Sequence, residues 1–183
     1  MTNGHQVRLV PVTRSLLGCT AAGAIFVTLL LVERLGMIAA LPAYLYFVMV
    51  GALLAMIDAA TGKLPDRLTL PSYPVMVILL GVAEAASPNQ GSTARAAVAA
   101  ILLVAVFFSS ALLRGVGLGD VKLAGLFGLV LGFRSWTTVY AGLLVAFILA
   151  AIFVVVSGVR RRDGARIPLG PFLVAGAIVA ILL

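Results

Sequence analysis

The chain has 183 residues, 63% of them hydrophobic and 10% charged, with a mean hydropathy of +1.21. A soluble domain averages about 45–50% apolar and about 25% charged residues, so the composition excludes an ordinary water-soluble domain and indicates one polytopic membrane domain. The net charge of +7 reads as basic residues flanking membrane spans, where they set topology, and not as a nucleic-acid-binding surface.

Residues 1–14 form a polar tail with Arg8, Arg14 and the single histidine, His5. Ser15 to Val32 is the first charge-free run, closed by Glu33 and Arg34. It is longer than a signal-peptide core and ends without a small-x-small cleavage site, so it reads as a span. Cys19, the one cysteine, lies inside it and reads as a packed thiol. With one cysteine and one histidine the chain offers no intrachain disulfide, no zinc cluster and no Ser-His or Cys-His pair in the membrane, so neither metal nor cofactor is expected.

Leu35 to Ile57 is the second run, long enough for a hydrocarbon core that takes about 20 helical residues. It ends at Asp58, and a polar loop through Gly62, Lys63, Pro65, Asp66 and Arg67 follows. Leu68 to Ala83 is the third run, with Pro71 and Pro74 expected in its first turns, where proline is best tolerated. After Glu84 and a polar loop, Ala96 to Leu113 is the fourth. The fifth, Leu123 to Phe133, spans only about 17 Å at 1.5 Å per residue. To cross, its helix must include Asp120 and Lys122 or continue through Arg134. Ser135 to Val159 is the sixth run, followed by a basic loop from Arg160 to Arg166, and Ile167 to Leu183 is the seventh. The expected fold is all-α, with about seven transmembrane helices.

Seven spans divide the basic residues ten to three: Arg8, Arg14, Lys63, Arg67, Arg114, Lys122, Arg160, Arg161, Arg162 and Arg166 against Arg34, Arg95 and Arg134. The richer side is expected to be cytoplasmic, which puts the N-terminus inside and the C-terminus outside. Asp58 and Asp120 then fall on the cytoplasmic side. Glu33 and Glu84 fall on the other, and Asp66 and Asp163 read as solvated charges among basic neighbours.

A carboxylate beside hydrocarbon is costly and marks a functional site by default. Two close together cannot both ionise cheaply, so one stays protonated and the pair titrates as a unit. Such a pair can activate water and protonate a peptide carbonyl without a metal. It can equally serve a small transporter or channel for protons or cations, and composition alone leaves both open. Gly117 and Gly119, just before Asp120, would let another helix or a substrate backbone come close. Lys63 and Lys122 could act on the neighbouring acids or a substrate, or mark the interface.

Three local patterns narrow the choice. Gly117-Leu-Gly-Asp120-Val-Lys-Leu123 resembles the GxGD motif of the type IV prepilin peptidases, which are membrane aspartyl proteases. Asp58-x6-Pro65 with Asp66-Arg-Leu-Thr69 resembles that family's first aspartate motif, with Asp66 in place of the usual asparagine. Pro168-Leu-Gly-Pro-Phe172 is similar to its C-terminal signature, with Leu169 in place of the usual phenylalanine. The resemblance implies a six-helix catalytic core, residues 35–183 being the catalytic domain and residues 1–34 a tail and an extra helix. It implies Asp58 and Asp120 as the catalytic dyad, Gly117 and Gly119 as shaping the substrate site, and prepilin or pseudopilin precursors, cut at a short basic leader, as partners in the cell membrane. The paired CxxC zinc motifs that accompany N-methylation in many bacterial members are absent, which implies cleavage without methylation. A broader GxGD intramembrane protease is the neighbouring alternative.

Overall fold

In a computed structural model of the chain, residues 12–36, 38–61, 66–113, 117–157 and 169–183 are described, with side chains from Ala22 onward in the first helix and as far as Asp58 in the second. They form seven α-helices: α1 (Val12–Leu35), α2 (Leu41–Thr61), α3 (Asp66–Ala86), α4 (Thr93–Leu112), α5 (Leu118–Arg134), α6 (Trp136–Ser157) and α7 (Gly170–Leu182). The protein is an all-α membrane protein. By length and composition four helices can cross a bilayer, α2, α3, α4 and α6, and α7 is a shorter apolar helix.

Each apolar run has become a helix, but several boundaries differ from those read in the sequence. Leu35 ends α1, because Gly36 takes a left-handed φ of +64°, a conformation glycine enters without steric cost. The turn that follows moves the start of α2 to Leu41. At the other end α2 runs through Asp58 to Thr61, so Asp58 stands on the helix. Helix α3 begins at Asp66, which places Pro71 and Pro74 inside it, beyond the first turn. The fifth run took the first of its two options and reached its length by including Asp120 and Lys122.

Helix α5 is the centre of the bundle. All eleven residues from Leu123 to Phe133 are buried, as expected of a helix surrounded on every side. It packs most extensively on α4 and also touches α2, α3, α6 and α7, while α1 lies outside against α2 and α7. The close α4–α5 approach depends on small residues. A Cβ on Gly128 would stand 2.6 Å from Ala100 Cα, and one on Gly132 would stand 2.5 Å from Ala99 Cβ. With no hydrophobic force between helices in lipid, such backbone-to-backbone contact is a main source of association.

Hydrogen bonds fasten one end of the bundle. Arg95, in the first turn of α4, donates to the carbonyls of Gly132 (2.8 Å), Phe133 (2.5 Å) and Arg134 (2.8 Å). These are C-terminal carbonyls of α5 that have no partner within their helix. Arg134 donates in turn to Ile181 at the end of α7 (2.6 Å). Ser92 N–H reaches Phe133 O at 3.0 Å, the carboxylate of Glu84 accepts from Thr93, and Ala39 N–H donates to Gln90 (3.1 Å). The loops after α1, α3 and α5 and the C-terminus of α7 therefore meet at this end, and the C-terminus of α2 and the N-termini of α3, α5 and α7 lie at the other.

Candidate active site

The opposite end gathers the acids. Asp58 comes from the last turns of α2 and Asp120 from the first turn of α5, and both are buried, at 5% and 7% exposure. They are near enough for the charge on Asp58 to act on Asp120. The sequence reading placed Asp58 at the end of its span and Asp120 at the beginning of its own, on the same side of the membrane, and the structure brings both to the same end of the bundle.

Their surroundings differ. Oδ2 of Asp58 accepts the N–H of Gly170 at 3.1 Å. Gly170 is the first residue of α7, so this N–H has no partner within its own helix, and the helix dipole points its positive end at the carboxylate. Oδ1 of Asp120 has no partner: among the described residues it and Thr28 Oγ1 are the buried side-chain oxygens without a hydrogen bond. The first turn of α5 is closed by backbone bonds from Asp120 N–H (3.1 Å) and Val121 N–H (3.4 Å) to Gly117 O.

Gly117, before Asp120, seats no other helix among the described residues. A Cβ on Gly117 would meet, among the described atoms, only Asp120 Oδ2, at 3.5 Å, and Gly119 is partly exposed. The glycines that bring helices together lie later in α5, at Gly128 and Gly132, because that is where α4 crosses it. Open backbone beside Asp120 leaves room for an extended chain to approach.

Lys122 does not face the acids as an unpaired cation. Its Nζ is 2.5 Å from Asp66 Oδ1, tying α5 to the start of α3, and its carbonyl accepts the Tyr73 hydroxyl at 2.6 Å. Asp66 is 59% exposed, but it is a paired charge and not merely a solvated one. Lys63, Pro65 and Pro168 lie outside the described residues. No group of three or more His, Cys, Asp or Glu side chains that could hold a metal ion occurs among those described.

Sequence reasoning assigned no role to Gly170. The signal available was its place inside the Pro168 to Phe172 motif, but its contact with a residue 112 positions away needed the fold. A Cβ there would stand 2.6 Å from Asp58 Oδ2, so glycine is the residue that lets α7 start against the carboxylate.

Neither the curated proteins nor the solved structures returned a match to the chain. The family model of the type IV leader peptidases matches residues 45–156, a stretch that includes both buried acids and five of the seven helices in whole or in part, and the chain belongs to the type IV leader peptidase family.

Proposed function

We propose that this protease is an aspartic endopeptidase in which Asp58 and Asp120 together hydrolyse one peptide bond. Its substrates are type IV prepilin or pseudopilin precursors, cut after their short basic leader at the cytoplasmic face of the cell membrane. The observation that carries the reading is the pair of buried carboxylates, from α2 and α5, within electrostatic reach of each other in a chain of the leader peptidase family.

In the first step the ionised carboxylate takes a proton from water while the water oxygen bonds to the peptide carbonyl carbon. The protonated carboxyl donates its proton to the carbonyl oxygen, giving a neutral gem-diol. The gem-diol then collapses. The C–N bond breaks, the leaving nitrogen takes the proton acquired from water, and the other carboxyl recovers its own from a gem-diol hydroxyl. Water is consumed, an acid and an amine are released, and the dyad returns to its starting state. The surplus of basic residues on this side orients the chain with the site towards the cytoplasm. Residues 35–183 form the catalytic domain, to which α1 is an added helix. The proposed reaction is peptide cleavage alone, without methylation of the new terminus.

The test is co-expression with a prepilin, comparing wild type with Asp58→Asn and Asp120→Asn, which keep shape and remove the titrating group. The expected result is cleavage at the leader boundary by wild type and none by either inserted variant. Cleavage by both variants would overturn the aspartyl mechanism. Cuts within the stem helix would favour a broader intramembrane protease. Ion flux in liposomes without proteolysis would favour a transporter.

A further inference from the structure

We infer that Gly170 is a positioning residue for catalysis: its backbone N–H fixes the Asp58 carboxyl group within the pair. The inference rests on the dyad reading above and adds to the site a residue from a third helix, α7.

Both acids lie at helix N-termini: Asp120 in the first turn of its own helix, α5, bonded by the backbone of Gly117, and Asp58 against the start of α7. Asp58 accepts a bond from the first N–H of a 13-residue helix. A bond donated to a carboxylate, at the positive end of a helix, favours the charged form. Asp58 stands near the C-terminal end of α2, so the Gly170 N–H supplies from another helix what Asp120 has at the start of its own. The donor at Gly170 is itself well fixed. Phe172 packs on Phe153 of α6 with ring centroids 5.3 Å apart. One turn into α7, Val174 lies against Gly51 of α2, where a Cβ would be 3.1 Å from its Cγ1. Deeper still, Gly176 seats α7 directly on the backbone of α6 at Gly142. Nor can the contact tolerate a side chain, since a Cβ on Gly170 would fall 2.6 Å from Oδ2 and 3.1 Å from Cγ of Asp58. Gly170 also lies beyond residues 45–156, the stretch that matches the family, so on this reading the site is completed by the C-terminal helix.

The experiment is steady-state cleavage of a prepilin by full-length protein in detergent or liposomes, comparing wild type, Gly170→Ala and Gly51→Ala. The second variant presses on the same α2–α7 contact away from Asp58. Displacing a reacting group by about 1 Å can cost on the order of 100-fold, so Gly170→Ala should lose 10- to 100-fold in kcat with KM little changed. Gly51→Ala should lower thermal stability and leave kcat within about twofold. A Gly170→Ala enzyme with wild-type kcat overturns the inference, and so do equal losses in the two variants, which would mark a packing role alone. If Gly170→Ala fails to accumulate, the amide is read directly in ¹⁵N-glycine-labelled protein. The Gly170 resonance should move strongly in Asp58→Asn and much less in Asp120→Asn, and an unmoved resonance overturns the inference. Asparagine variants that still cut would instead sink the dyad itself.

Discussion

The two ends of the bundle use the same kinds of polar group for opposite purposes. At one end Arg95, Arg134, Glu84 and Ser92 satisfy helix termini. There each charge meets backbone groups that have lost their own partners, so burial and stability agree. At the other end two carboxylates are buried within reach of each other, and a buried oxygen of Asp120 has no partner among the described residues. An unsatisfied buried polar atom costs about 1–3 kcal/mol, and folds keep such costs mainly at functional sites. The contrast separates residues that hold the protein together from residues held for chemistry.

The largest expected effect breaks the contrast at its reactive end. Asp58→Asn or Asp120→Asn should lower the rate at least about 10³-fold, within the range for losing a general acid or base. Neither should destabilise the protein in proportion, because asparagine keeps the side chain's shape and ends the costly sharing of one proton between two buried carboxyls. Asp120→Asn should therefore unfold at the wild-type temperature or above it. Cleavage assays with melting curves on the same preparations check both halves, and a variant that loses activity only by losing folded protein would dissolve the distinction.

The converse holds at the fastened end. Arg95→Ala removes bonds to three carbonyls and should cost about 2–3 kcal/mol, the scale of charge-assisted bonds to groups then left unpaired. Arg95→Lys should recover part of this, since an ammonium cannot copy the guanidinium fork. In either variant the kcat of the protein that stays folded should match wild type, as measured by active-site titration. Between the two ends, Gly128→Ala would put a methyl against the backbone of Ala100. Overpacking of this kind costs about 1–3 kcal/mol. Because α5 also carries Asp120, part of the loss should appear in kcat as well as in melting temperature.

What could be read in the sequence follows the same division. Seven helices were legible because each is an apolar run bounded by charge, glycine or proline. The shared end of Asp58 and Asp120 was legible because spans alternate direction. Boundaries failed where one backbone angle decides, as at Gly36, or where tertiary packing extends a helix past its apolar run, as at the start of α3. Arg95 and Arg134 were read as topology charges. Their capping role depends on α4 and α7 ending beside α5, which no local pattern encodes. Gly170 was quoted within a motif, yet its use is a backbone bond across 112 positions, where the side chain that would have carried a signal is the one that is missing.

The smallest expected effect concerns the ion pair of Lys122 and Asp66, whose side chains are 34% and 59% exposed. Exposed pairs contribute about 0–1 kcal/mol and are screened by salt. Asp66→Asn, which restores the residue usual in the resembling motif, should therefore change the melting temperature little, and the change should shrink further at high ionic strength. The same variant tests whether Lys122 touches substrate. In the structure its ammonium group is engaged by Asp66, and its carbonyl by Tyr73. If Lys122 serves only to tie α5 to α3, Lys122→Met and Asp66→Asn should have the same small effects on stability and none on KM. If Lys122 binds substrate, freeing it in Asp66→Asn should lower KM, and removing it in Lys122→Met should raise KM. Opposite movements of KM in the two variants would make Lys122 part of the reactive end, and parallel small losses would place it with Arg95 among the residues that hold the bundle.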